Sequence, residues 1–124
     1  MSHIKYWLAA SLAAFALWLA PQQQARAAID QYALGARYDA TKANITFNVY
    51  SSRATRIEVW LYSQGAGQQE KVKYVMTKNA TTNVWTKTAS VATLKNTYGI
   101  TGAVYYGYRA WGPNWTYNAA WTKG

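Results

Sequence analysis

From Ala28 onward, apolar and polar positions alternate in short runs separated by turn-forming residues. Asn44 to Tyr50 (NITFNVY) sets Ile45, Phe47 and Val49 against Asn44, Thr46 and Asn48. Thr55 to Tyr62 (TRIEVWLY) places Ile57, Val59 and Leu61 inward, with Arg56, Glu58, Trp60 and Tyr62 outward. Lys71 to Thr77 opposes Val72, Tyr74 and Met76 to Lys71, Lys73 and Val75. Successive residues of a pleated strand point to opposite faces, so this period of two predicts half-buried antiparallel strands. Similar runs predict strands at Leu34 to Tyr38, Asn83 to Ala89 and Val104 to Trp111. In the last, Tyr106, Tyr108 and Ala110 face the core, and Tyr105, Arg109 and Trp111 face away. The segments YDATKAN, SSRA, SQGAGQQ and TKNATTN supply turns between the strands. The longest connection, SVATLKNTYGITG, begins at Ser90, which is placed to cap one helical turn. Together these runs predict an all-β, immunoglobulin-like β-sandwich of about seven antiparallel strands.

The N-terminus follows a different pattern. Lys5 precedes an apolar run from Trp7 to Ala20, and PQQQARA ends in Ala25-x-Ala27. The run is shorter than the roughly 20 residues that span a bilayer, and the small-x-small ending is the pattern cut by signal peptidase. Residues 1–27 are therefore expected to be a signal peptide, cleaved after Ala27. The remaining domain, 28–124, is then secreted (extracellular or periplasmic) and holds no membrane segment.

Composition narrows the chemistry. The only His is His3, in the signal segment, and there is no Cys, so a His/Cys metal site, a thiol nucleophile and a disulfide framework are all excluded from the domain. Its carboxylates are Asp30, Asp39, Glu58 and Glu70, scattered over the terminus, a turn, a strand and a loop end. Glu58 stands two residues from Arg56 on one strand face, and Glu70 adjoins Lys71, so surface ion pairs are expected rather than a catalytic pair. Thirteen Lys and Arg against four acids give a formal charge of +9. The basic residues are evenly spread and the chain is expected to be exported, so the charge reads as a solubilising surface and nucleic acid is not an expected partner. Asn44, Asn79 and Asn114 begin Asn-x-Ser/Thr triplets, read as chance in a chain with a bacterial-type signal.

Aromatic residues are the chain's main resource, with seven Trp and eleven Tyr against two Phe. Flat rings meet the C–H face of a pyranose, while amides, Lys and Arg hydrogen-bond its hydroxyls. Rings also fill cores, each burying roughly 150–250 Å². Once Tyr106 and Tyr108 are assigned to the core, Arg109, Trp111 and Trp115 remain as the candidate carbohydrate-binding residues, with Lys87 as further polar support.

Two stretches carry a family resemblance. ALGARYDATKANITFNVYSSRATRIEVWLYS and GITGAVYYGYRAWGPNW resemble the N-terminal domain of secreted bacterial isoamylases, the glycogen- and starch-debranching enzymes of glycoside hydrolase family 13. The specific part is Tyr106-Gly107-Tyr108-Arg109 followed by the Gly112-Pro113 turn, and the resemblance runs from Ala28 to Trp121. It implies an early-set, glycogen-binding-type module preceding a (β/α)8 barrel whose two Asp and one Glu hydrolyse α-1,6 branch points. The sequence ends at AAWTKG, before such a barrel, so no catalytic residue carries over. No cofactor is expected, and any calcium belongs mainly to the barrel. Glucan-binding relatives use one Trp after the third or fourth strand and another after the last strands. Trp115 corresponds to the second, whereas Ser63 to Gln69 contains no aromatic. The expected partners are an α-glucan (glycogen or amylopectin) and the catalytic barrel. Three readings follow: a non-catalytic accessory domain of a debranching enzyme, a stand-alone secreted α-glucan-binding module, and a basic domain stacking nucleic-acid bases on its aromatics. The first also implies an exposed apolar patch facing the barrel, with Trp60, Tyr62 and Trp121 as its candidates.

Overall fold

The computed structural model describes residues 33–120; the expected signal peptide and Trp121 lie outside them. The described chain forms β1 (Gly35–Tyr38), β2 (Asn44–Tyr50), β3 (Arg56–Tyr62), β4 (Val72–Val75), β5 (Thr77–Lys78), β6 (Val84–Ser90), α1 (Val91–Asn96) and β7 (Tyr105–Trp111). The strands make two antiparallel sheets, ordered β1-β2-β6-β5 and β4-β3-β7. This is the expected immunoglobulin-like sandwich, with strand ends within a residue or so of the sequence pattern for most strands.

The alternating positions meet between the sheets. Ile45 and Phe47 of β2 and Trp85 and Ala89 of β6 pack against Ile57, Val59 and Leu61 of β3. Leu94 of α1 and Ile100 extend this core at one end. The Ser90 hydroxyl accepts the Thr93 N–H at 3.4 Å, so the expected cap is present. Gly99, at φ +68°, then turns the chain back so that Ile100 N–H reaches Leu94 O at 3.0 Å. A positive φ suits glycine, which has no Cβ to clash with its own backbone.

Three expectations require correction. The single strand Lys71 to Thr77 is divided at Met76, whose N–H still bonds Ile57 O at 2.9 Å. Thr77 and Lys78 then pair with Thr86 and Trp85 in the opposite sheet, so the chain crosses between sheets here. Periodicity cannot register such a corner, because the inward positions stay in phase across it. Tyr106 does point toward Phe47 and Tyr108, with ring centroids 5.3 and 5.5 Å away, yet it is 41% exposed. It belongs to the edge strand β7 and reaches toward the edge strand β1 of the other sheet, where a Cβ on Gly35 would lie 3.9 Å from its hydroxyl. Finally, Glu58 and Trp60 are buried although β3 alternation turns them away from the core.

Burial pushes the Tyr108 phenol up to about 12, and neighbouring Tyr106 adds to the shift. Burial also raises Tyr74, helped by Tyr98. The folded chain therefore holds these protons more tightly than the unfolded chain, whose phenols titrate near 10.0. Their stabilising contribution is complete below that value and is lost as pH rises through the folded one. Melting temperature is expected to fall between about pH 10 and 12, and Tyr108→Phe should flatten part of that fall. Identical pH profiles for the two proteins would contradict the assignment.

Candidate functional site

The outward face of β3 and β7 is built in rows fixed by strand register. Arg56 lies opposite Trp111, Glu58 opposite Arg109, Trp60 opposite Gly107 and Tyr62 opposite Tyr105. On the other flank of β3, Lys73 pairs with Trp60. The Arg109 guanidinium lies 3.9 Å from the Trp60 ring centroid and the Lys73 ammonium 4.9 Å from it. These two cations cover the indole so completely that its exposure is 0%. Long basic side chains shield an apolar ring with their stems while their charges meet its negative face.

Glu58 completes this layer. Its Oε2 accepts the Trp60 Nε1 hydrogen at 3.0 Å, and its Oε1 accepts Arg56 Nε and Nη2 at 2.9 and 2.7 Å. The ion pair expected from sequence is thus real, but it is not a surface pair, since Glu58 is only 3% exposed. A buried carboxylate is tolerated when both oxygens are satisfied. Asp39 is also structural: the Asn44 side chain donates to it at 2.8 Å and holds its carboxyl below the usual carboxylate range. Among the described residues, no cluster of three or more His, Cys, Asp or Glu could hold a metal ion.

The chain after β7 folds back on this face. Gly112 and Trp115 exchange two backbone hydrogen bonds of 3.0 Å around Pro113 and Asn114, which returns Trp115 beside Trp111. Tyr117 then meets the Trp111 ring edge-on at 5.1 Å and accepts the Arg56 guanidinium on its own face at 4.1 Å. The result is a shallow depression of about 300 Å³ lined by Arg109, Ala110, Trp111 and Trp115. All three candidate residues are therefore brought to one place. Their roles differ from expectation: Trp115 is 59% exposed, whereas Trp111 is buried at 4% and packs against Tyr117. An exposed indole beside a guanidinium offers a flat apolar surface and several fixed N–H donors, which suits a ring that is apolar on its face and hydroxylated at its rim.

Lys87 does not support this site. It lies opposite the buried Phe47 in the β2–β6 register and stacks over Tyr74 at 5.0 Å, in the other sheet's neighbourhood. The expected apolar patch at Trp60 and Tyr62 is likewise absent, because Trp60 is capped by its two cations and Tyr62 is half-buried.

A second depression, of about 320 Å³, escapes a reading that takes one segment at a time. Tyr62, Gln64, Gln68 and Tyr105 line it at the opposite end of β7. The loop Ser63 to Gln69 has no ring of its own, but Tyr62 and Tyr105 bring rings to it from paired strands. The long-range antiparallel pairing of TRIEVWLY with VYYGYRAW would have been the signal.

A model of carbohydrate-binding module 48, the isoamylase N-terminal domain, matches residues 33–120. The chain belongs to this family. An isoamylase from Flavobacterium sp is 60% identical over 116 residues, covering 94% of this chain and 14% of the relative. An isoamylase from Pseudomonas amyloderamosa is 55% identical over 117 residues, covering 94% of this chain and 15% of the relative. The chain thus spans about a seventh of the length of the curated relatives it matches. The catalytic module of SpuA, a glycogen-degrading pneumococcal virulence factor, superposes with a TM-score of 0.52 at 21% identity, covering 64% of this chain and 11% of that one. A pullulanase from Paenibacillus barengoltzii complexed with maltotriose gives 0.50 at 23% identity, covering 65% and 11%. These two structures establish the likeness of fold. The module 48 sandwich is thus the frame that carries the Arg109–Trp115 depression.

Proposed function

We propose that this module 48 chain is the non-catalytic accessory domain of a secreted isoamylase-type enzyme that debranches glycogen or amylopectin, and that it touches α-glucan through Arg109 and Trp115. The observation that carries the reading is an exposed indole, Trp115, lining one depression with Arg109 in a family of carbohydrate-binding modules. The isoamylase relatives, matched at 55–60% identity, support the debranching context. The non-catalytic part is supported by two of the domain's four carboxylates, since Glu58 and Asp39 are both engaged in holding structure. Secretion rests on the N-terminal pattern, with residues 1–27 acting as a signal cleaved after Ala27.

The test is a titration of the purified chain with maltoheptaose, followed by tryptophan fluorescence. A saturable change is expected, because ligand over Trp115 alters the environment of an exposed indole. The same preparation should release no reducing ends from glycogen. A flat titration would remove the glucan contact, and measurable hydrolysis would remove the accessory role.

A further inference from the structure

The sandwich has four edge strands, β1 and β5 in one sheet and β4 and β7 in the other. An uncovered edge offers a row of unpaired main-chain N–H and C=O groups, and proteins usually blunt it by shortness, by lysine or by a backbone kink. Three of these edges are blunted. β5 is two residues long, β1 is four residues and begins at Gly35 with φ +90°, and β4 is four residues with Lys73 inside it. β7 differs: it runs for seven residues without proline, and its one charge, Arg109, lies over Trp60. Exposed rings gather there too. Of the seven large apolar or aromatic side chains exposed among the described residues, Tyr105 and Tyr106 lie on β7, and Trp115 and Tyr117 on the segment after it.

Register fixes which groups this edge presents. Met76 N–H bonds Ile57 O, so Ile57, Val59 and Leu61 turn their main-chain groups toward β4. Alternation then turns those of Arg56, Glu58, Trp60 and Tyr62 toward β7, where they meet Trp111, Arg109, Gly107 and Tyr105. The N–H and C=O groups of Tyr106, Tyr108 and Ala110 therefore point away from the sheet. Gly112 keeps the same phase, and its outward N–H and C=O are the ones that bond Trp115. The edge thus already pairs with antiparallel backbone at one end, while no described strand pairs with it from Tyr106 to Ala110. Gly107 stands in the middle. A Cβ there would meet nothing within 4 Å, so packing inside the domain does not call for glycine. A glycine within a strand often marks a place where another backbone comes close.

We propose that β7 is the contact through which two copies of this chain associate, antiparallel and edge to edge, with Gly107 facing Gly107 across a two-fold axis. The strand is self-complementary in this register. Tyr106 of one copy exchanges main-chain hydrogen bonds with Tyr108 of the other, and Val104 does so with Ala110. The two glycines form a non-hydrogen-bonded pair, the type in which Cα atoms approach to about 4.5 Å. On the outer face the Tyr105 ring meets Arg109 of the other copy, whose guanidinium rests one face on Trp60 and offers its second. On the inner face Tyr106, 41% exposed in the single chain, gains Tyr108 as a cross-strand partner. The joined sheet is ordered β4-β3-β7-β7-β3-β4, with the axis perpendicular to it. Both Arg109–Trp115 depressions then open on the same side, and the association itself does not require glucan.

Analytical ultracentrifugation of the purified chain tests this. The wild type should pass from monomer to dimer as concentration rises, and Ala110→Pro and Gly107→Lys should each weaken the dimer roughly tenfold or more. Proline at an outward-facing position removes only the edge N–H. Lysine at Gly107 sets two like charges directly opposite each other. Cross-linking reads the register separately, since the chain has no cysteine of its own. Under mild oxidation Gly107→Cys should give a disulfide-linked dimer, because Cα atoms about 4.5 Å apart lie within disulfide reach. Thr81→Cys, in the turn beside β5 at the far edge of the other sheet, should cross-link roughly tenfold more slowly or less. This readout holds even where the proline or lysine variant folds poorly. A dimer that both substitutions leave intact, or Gly107→Cys cross-linking no faster than Thr81→Cys, would overturn the assignment. A chain that stays monomeric at every concentration would also overturn it, and would leave the edge to a strand of a different partner.

Discussion

Trp60→Ala is expected to destabilise the domain by roughly 3–5 kcal/mol, the usual loss for deleting a fully buried large aromatic. That is a large share of the about 5–15 kcal/mol that holds a typical domain together. The cost has two sources. The indole fills a layer outside the main core, so its removal leaves a cavity beneath Arg109 and Lys73. It also donates to Glu58 Oε2, and losing that donor leaves a buried carboxylate oxygen with one partner fewer. Trp60→Phe separates the two, since it keeps an aromatic ring under the cations and loses only the N–H. Its cost should be nearer the about 1–3 kcal/mol of an unsatisfied buried group. Urea unfolding of the three proteins measures both. A Trp60→Ala change below about 1 kcal/mol would mean that this outer layer behaves as ordinary surface.

The same layer marks where sequence reading succeeds and where it stops. Alternation located β2 to the residue and identified Ile57, Val59 and Leu61 as the inward face of β3. It classed Trp60 as exposed because a period of two describes direction, not cover. What covers Trp60 comes from Lys73 and Arg109, which lie on two other strands and are assembled only by register. The corner at Met76 was hidden for a related reason: a strand that changes sheets keeps its inward positions in phase. The candidate site was legible in part. Arg109, Trp111 and Trp115 stand close in sequence, and the Gly112-Pro113 turn signalled that the chain doubles back there. The exchange of roles between the two Trp residues depends on Tyr117, whose approach to Trp111 nothing local encodes. The Tyr62–Tyr105 end was less legible still, because its rings and its amides come from segments some forty residues apart.

Trp115→Ala and Trp111→Ala should therefore fail in opposite ways. Trp115 is more than half exposed, and truncating it is expected to shift unfolding free energy by no more than about 0.5 kcal/mol. Its loss should weaken maltoheptaose binding by roughly tenfold or more, as expected for an aromatic anchor at the centre of a contact. Trp111 is buried and holds Tyr117, which in turn lies under Arg56. Its truncation should cost roughly 3–5 kcal/mol of stability, and sugar binding should suffer only as far as the turn carrying Trp115 loosens. Trp111→Phe preserves the packing with Tyr117 and should bind maltoheptaose within about twofold of wild type. Urea unfolding and calorimetric titration on all three variants give two independent readouts. The assignment of Trp115 as platform and Trp111 as its support requires them to separate. If Trp111→Phe abolished binding in a stably folded domain while Trp115→Ala bound normally, the platform would be the buried indole, and the sugar would have to displace Tyr117 to reach it.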